Sequence, residues 1–216
     1  MVKKLIITGT DTNIGKSVVA AMLTLCLDGI YWKPIQAGSK DGTDTERVAE
    51  MTGLGLEHFR PEAYVLTNPL SPHRAAELDG VTIDESRLQL PSDIPDARTL
   101  IIEGAGGVLV PITREKLQAE LFAHWAGPTI LCAWTELGTI NHSLLSIEAL
   151  RKRGVDVLGI TFVGEEMADS ENTIVTMGRT KHLGRMPILA DISPRTLRAV
   201  FTTNFRRQDF ESARAG

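Results

Sequence analysis

Three short runs of the chain are apolar at every position: Leu5-Ile6-Ile7, Ile30-Tyr31-Trp32 and Leu100-Ile101-Ile102. Two more, 129–133 and Val157–Val163, are nearly so. Runs this short, without the alternation of a half-exposed strand, predict strands covered on both faces. Between them, apolar positions recur at helical spacing over 16–27, 45–51 and 142–153, the last stopped by Gly154. Strand, helix, strand at this spacing predicts an α/β fold with a mostly parallel sheet, right-handed crossovers and helices on both faces. Pro91-Ser92-Asp93-Ile94-Pro95 reads as a loop. No repeat or linker divides the chain, so 1–216 is read as one domain. The tail after Phe201 carries little pattern and is expected to be loosely held.

Composition narrows the class. Hydrophobic residues make up 43% and charged residues 23%, as in a globular enzyme. A net charge of -4 argues against nucleic acid as the main partner. No run approaches the roughly 18 apolar residues of a membrane span, and the apolar run after Lys3-Lys4 ends too soon for a signal segment. Cys26 and Cys132 lie among apolar neighbours and read as two buried free thiols of a cytoplasmic protein.

The sharpest chemical signal is Gly9-Thr10-Asp11-Thr12-Asn13-Ile14-Gly15-Lys16-Ser17, between a strand and a helix. Small residues let successive amides curl around phosphate oxygens, and the helix start adds partial positive charge. Lys16 is expected to reach the β- and γ-phosphates, and Ser17 to offer its hydroxyl to Mg²⁺. The spacing is unusual. Five residues separate Gly9 from Gly15 where the common loop has four, with Thr10 in the expected glycine position.

Three further segments carry charge or glycine at strand ends. Lys33, before Pro34, reads either as a solvated lysine or as a ligand-binding one at the carboxyl edge of the sheet. The loop 38–44 ends on Asp44, which is either part of a solvated turn or a carboxylate near a metal. Glu103 closes an apolar strand, the usual place of a second metal ligand in a phosphate-loop protein, and Gly104-Ala105-Gly106-Gly107 lets backbone approach a nucleotide. Gly138-Thr139-Ile140-Asn141 leads into a helix whose amides could hold an anion, unless Asn141 is simply its cap. His142, alone there, is read as structural.

Taken together, these segments resemble the dethiobiotin synthetase family, over about 190 residues and in order. The matching pieces are 9–17 with its five-residue gap, Lys33-Pro34, Asp44, Ser71-Pro72-His73, 103–107 and 138–142, with 184–189 similar to the family's late nucleotide loop. The resemblance implies a phosphate-loop fold with about seven strands, working as a homodimer. It implies an ATP-dependent cyclo-ligase of biotin biosynthesis, which joins 7,8-diaminononanoate and CO₂ (or bicarbonate) using ATP and Mg²⁺. Carried over residue by residue, it implies that Lys16 and Lys33 are catalytic and that Ser17, Asp44 and Glu103 hold the metal. It places the nucleotide against Thr12, Asn13, Ile14, Gly15, Lys16, Ser17 and Val18, then Glu103, Gly104, Ala105 and Gly106. Val163, Gly164, Pro187, Ile188 and Leu189 complete that set. It gives the substrate to Thr12, Lys33, Ala37, Gly138, Thr139, Ile140 and Asn141, the last four from a partner subunit.

Three residues depart from the family pattern. Ala37 stands where a serine or threonine is common, Asn13 where a glutamate is common, and Val163 where an asparagine reads the adenine edge. Valine makes no such hydrogen bonds, which implies a relaxed base preference. The rival reading is a dimeric switch ATPase of the partition kind, but Thr10-Asp11-Thr12 offers no lysine early in the loop, and Lys33-Pro34 has no counterpart there.

Overall fold

The computed structural model describes residues 3–211. In chain order the strands are β1 (Lys4–Gly9), β2 (Ile30–Trp32), β3 (Ile35–Ala37), β4 (Phe59–Arg60), β5 (Tyr64–Leu66), β6 (Leu100–Gly107), β7 (Thr129–Trp134), β8 (Val157–Val163) and β9 (His182–Met186). The helices are α1 (Lys16–Cys26), α2 (Asp44–Thr52), α3 (Pro72–Asp79), α4 (Gln118–Trp125), α5 (Thr139–Lys152), α6 (Ala168–Gly178), α7 (Pro194–Asn204) and α8 (Arg207–Glu211).

Seven strands form one sheet in the order β4-β2-β6-β1-β7-β8-β9, and each pairing is parallel. The unbroken apolar runs are explained by what covers them. Ile6 and Ile102 point into a core shared with α3, α4, α5 and α6. Leu5, Ile7, Tyr31 and Ile101 point the other way, into a core with α1, α2, α7 and α8. A period of two along each strand therefore feeds two separate cores, and every position is apolar because both faces are buried.

β3 and β5 form a small separate parallel pair beside the carboxyl end of the main sheet. Together with α2 and α3 they shape the rim of the site. The segment after Phe201 departs from the loose tail expected of it, as far as Glu211. Phe205 and Phe210 are buried, and with Phe201 they form a cluster with ring centroids 6.1 to 6.3 Å apart. Arg207 donates to the Cys26 carbonyl, and Asp209 pairs with Lys181, which ties this end to α1 and β9. The last five positions of the expected tail lie outside the described residues. Cys26 and Cys132 are both free and buried, as expected.

Candidate active site

The loop between β1 and α1 is built by backbone geometry that its residues permit. Asn13 takes a positive φ of 58° and Gly15 one of 86°. At Gly15 a side chain would also meet the Val163 methyl at 2.8 Å, so only glycine fits that turn. No side chain caps α1, so its first amides face the loop. The buried Lys16 ammonium donates to the Asp11 carbonyl across the loop at 2.7 Å. Burial pulls its pKa below the ordinary lysine value, and Glu103 restores only part of it. An anion seated in the loop would meet a cation short of partners.

Beside this loop, β2 and β6 deliver the charged cluster. Pairing Trp32 with Ile102 brings Lys33 and Glu103, each the next residue, to the same edge. Lys33 Nζ donates to Glu103 Oε1 at 2.9 Å and to Asp44 Oδ2. Ser17 Oγ donates to the same Glu103 Oε1 at 2.9 Å, and the Tyr31 hydroxyl donates to Oε2 at 3.0 Å. Burial works to lower the pKa of Lys33, but Glu103 and Asp44 outweigh it and hold the ammonium above its usual value. Burial likewise opposes the charge on Asp44, yet Lys33 and Arg47 keep that carboxyl below its usual range. For Tyr31, burial and then Glu103 push the phenol well above its ordinary value, so it stays a donor. Two carboxylates thus converge on one buried cation, and the Ser17 hydroxyl joins them through Glu103, a hard-oxygen set of the kind divalent metals use.

Asp44 is held from both sides. It opens α2 rather than ending a loop, behind a capping box of Thr43 and Glu46. Its amide donates to Gln36 Oε1 at 3.0 Å, and Arg47 Nη1 reaches its other oxygen at 3.0 Å. Gln36, Tyr31 and Arg47 were not among the residues expected from sequence. Arg47 had a readable signal, one helical turn after Asp44. Gln36 and Tyr31 matter only through pairings that sequence does not display.

One cleft of about 1080 Å³ gathers Thr12, Asn13, Gly15, Lys16, Ser17, Val18, Lys33, Ala37, Asp44, Glu103, Ala105 and Gly106. It extends past Val18 to Arg47, Glu50, Met51 and Ile192. Ile14 is buried in the core, and Gly104 lies against Phe122. Val163 does not line the cleft. It is 5% exposed beneath Gly15, and its carbonyl accepts from the Thr135 amide at 3.1 Å. Gly164, Pro187, Ile188 and Leu189 follow β8 and β9 and are not part of the cleft wall. The cap of α5 is Gly138, with φ 95°, and not Asn141. Thr139 lines a second depression of about 450 Å³ with Thr10, Asp11, Thr12 and Asn13 on the far side of the phosphate loop, whereas Gly138, Ile140 and Asn141 do not.

A parallel sheet with a phosphate loop after its central strand, one acid on the adjoining β6 and another at the start of α2, defines a P-loop nucleotide-using protein. Residues 3–196 match the family model described as an AAA domain. A ParA family ATPase from Chlorobium tepidum superposes with a TM-score of 0.56 at 10% identity, covering 99% of this chain and 97% of that one. A putative plasmid partition protein from Borrelia burgdorferi, bound to AMPPNP, gives 0.54 at 12% identity, with 99% and 96% covered. At such identities the likeness concerns the fold alone.

The sequence relatives are much nearer. The ATP-dependent dethiobiotin synthetase BioD of Nitrobacter hamburgensis is 53% identical over 210 residues, 97% of this chain and 98% of its own. The enzyme of the same name from Novosphingobium aromaticivorans is 51% identical over 205 residues, 95% and 98% respectively. The chain belongs to the dethiobiotin synthetase family.

Proposed function

We propose that the chain condenses 7,8-diaminononanoate with CO₂ at the expense of ATP, giving dethiobiotin, ADP and phosphate. The observation that carries this reading is the Lys33 ammonium shared by Asp44 and Glu103, the second of which also accepts from Ser17 of the phosphate loop. A protein that only switches on nucleotide has no use for a second lysine beside the acids. One that must hold an anionic carbamate against a γ-phosphate does.

In this reading one substrate amine takes up CO₂ and loses a proton to become a carbamate. The carbamate oxygen attacks the γ-phosphorus, ADP leaves, and a mixed carbamic-phosphoric anhydride forms. The second amine then attacks the carbamoyl carbon, closing the cyclic urea and expelling phosphate. Lys16 stabilises the charge that spreads over the transferring phosphoryl group, and Lys33 aligns the carbamate with it. Thr12, at the loop, and Ala37, across the cleft, flank the diamine. Ser17, Asp44 and Glu103 fit Mg²⁺, since all three offer hard oxygens, the two carboxylates on the Lys33 ammonium and the hydroxyl on Glu103. When bound, the ion would neutralise phosphate charge. The chain works as a cytoplasmic homodimer, with the amides that open α5 serving the substrate carboxylate of the partner's site. No helix among the described residues is long and apolar enough to cross a membrane.

The test is ADP release with and without diaminononanoate and bicarbonate. Release is expected to require the diamine. Release indifferent to it would leave a plain ATPase.

A further inference from the structure

Tyr31 brings one hydroxyl into an otherwise apolar strand, and a buried phenol needs a hydrogen-bond partner. The pairing of β2 with β6 sets Tyr31 opposite Ile101. Glu103 lies two residues further along β6, so it shares a face of the sheet with Ile101. The phenol reaches diagonally across that face and donates to Glu103 Oε2 at 3.0 Å. Its ring is fully buried, and Phe59, its register partner on β4, meets it edge-on with centroids 6.4 Å apart. A ring packed in this way has little room to swing its hydroxyl elsewhere.

The two oxygens of Glu103 therefore face different surroundings. Oε1 accepts from Ser17 Oγ and Lys33 Nζ, each at 2.9 Å, and both donors line the cleft. Oε2 accepts from Tyr31, which lies beneath the cleft and not in its wall. Glu103 is 1% exposed, so bulk solvent cannot take the place of the phenol.

We propose that Tyr31 selects the metal: by holding Oε2 in the core, it leaves Glu103 one oxygen toward the cleft, which suits Mg²⁺ and disfavours Ca²⁺. This rests on reading Ser17, Asp44 and Glu103 as the ligands of the metal. Mg²⁺ demands a near-octahedral shell at about 2.0–2.1 Å, for which one oxygen per carboxylate suffices. Ca²⁺ takes about six to eight oxygens at about 2.3–2.6 Å and gains from a carboxylate that grips it with both. Asp44 does not make up the difference, because Arg47 engages its Oδ1 at 3.0 Å. Tyr31 acts only through Glu103, so it is a positioning residue.

Calorimetric titration of AMPPNP, a non-hydrolysable ATP analogue, in saturating Mg²⁺, in saturating Ca²⁺ and in EDTA tests this. The wild-type chain is expected to bind it about tenfold more tightly with Mg²⁺ than with Ca²⁺. Tyr31→Phe removes one oxygen and keeps the ring. It should bring the two ions within about twofold, chiefly by tightening binding with Ca²⁺. Phe210→Leu, a loss of core packing away from the site, should lower Tm and leave the ratio near tenfold. A wild-type chain indifferent to the choice of ion overturns the inference without any variant. So does a Tyr31→Phe chain that keeps the wild-type ratio, or weakens with both ions alike, as loss of a merely structural contact would cause. Wild-type binding as tight in EDTA as with either ion removes the metal reading itself, and the inference with it.

Discussion

Lys33 is the residue on which the site's electrostatics turn. Its ammonium is the counter-charge for Asp44 and Glu103, which lie on different elements and would otherwise repel each other. Deleting one partner of a buried ion pair costs about 3–5 kcal/mol, because the other charge stays desolvated. Asp44 keeps some contact with water and with Arg47, so Lys33→Ala is expected toward the lower end. For a chain of this size that lowers Tm by roughly 6–12 °C. Mg²⁺ should return more of that loss to the variant than it adds to the wild-type chain, since the ion replaces the missing charge. Turnover should fall by about three orders of magnitude while ADP affinity largely survives. An equal loss of ADP affinity would put Lys33 in the binding loop, and an unchanged Tm would remove its role as counter-ion. Lys16→Ala should damage turnover and nucleotide affinity together. The pH dependence of this pair is flat near neutrality. Asp44, with its pKa lowered from 3.8, contributes fully above that value and loses its contribution as pH falls through the lower folded one. Lys33, raised from 10.5, contributes fully below that value and loses its part only as pH rises through the higher one.

At the scale of elements, the strand that carries Glu103 continues into a loop that must hold the cleft's floor in place. That loop is fastened to α3 by Arg114, whose Nε and Nη2 reach the two Glu77 oxygens at 2.6 and 2.8 Å, with Arg74 on the same carboxylate at 2.9 Å. Hydrogen bonds from Arg114 and then Arg74 lower the Glu77 pKa from 4.5 to about 2. The fastening is thus complete above 4.5 and is lost as pH falls through about 2. Carboxyl titration by NMR should find Glu77 at about 2 in the wild-type chain and nearer 4.5 in Arg114→Ala. A Glu77 that titrates near 4.5 in both would show the bidentate contact absent in solution. Elements of this kind separate what sequence could express from what it could not. The phosphate loop and the five apolar strands were legible because burial on both faces leaves an unbroken run. Lys33, Asp44 and Glu103 could be suspected singly, from strand ends and a helix start. Their convergence depends on the β2–β6 pairing, which nothing local encodes. The small β3–β5 sheet has three-residue strands, too short for any period to register. Phe205 and Phe210 looked like a loose tail because the core they join is completed by α1 and β9, farther back in the chain.

The whole molecule presents one feature that a single copy leaves unexplained. Leu137, at the mouth of the second depression, is fully exposed, and Leu145 is 57% exposed. Leu137 sits just before the Gly138 cap of α5, and the exposed Asn141 and Leu145, four apart within the helix, carry a stripe along one side from its start. The stripe begins at the amides proposed to serve a partner's substrate, so apolar contact and substrate recognition would share one surface. In a two-fold dimer each side chain of that surface is used twice. Burying one leucine is worth about 1.5–3 kcal/mol, so Leu137→Asp should remove roughly 3–6 kcal/mol per dimer. That weakens the dimer Kd by on the order of 100-fold or more. Folding of the single copy should be unaffected, because Leu137 touches little within it. Sedimentation of the variant at micromolar concentration is expected to show monomers, with KM for the diamine raised and ADP affinity unchanged. A variant that remains dimeric would place the interface elsewhere. A monomeric variant with unaltered KM would break the link between assembly and the diamine site, since α5 would then have nothing to contribute across the interface.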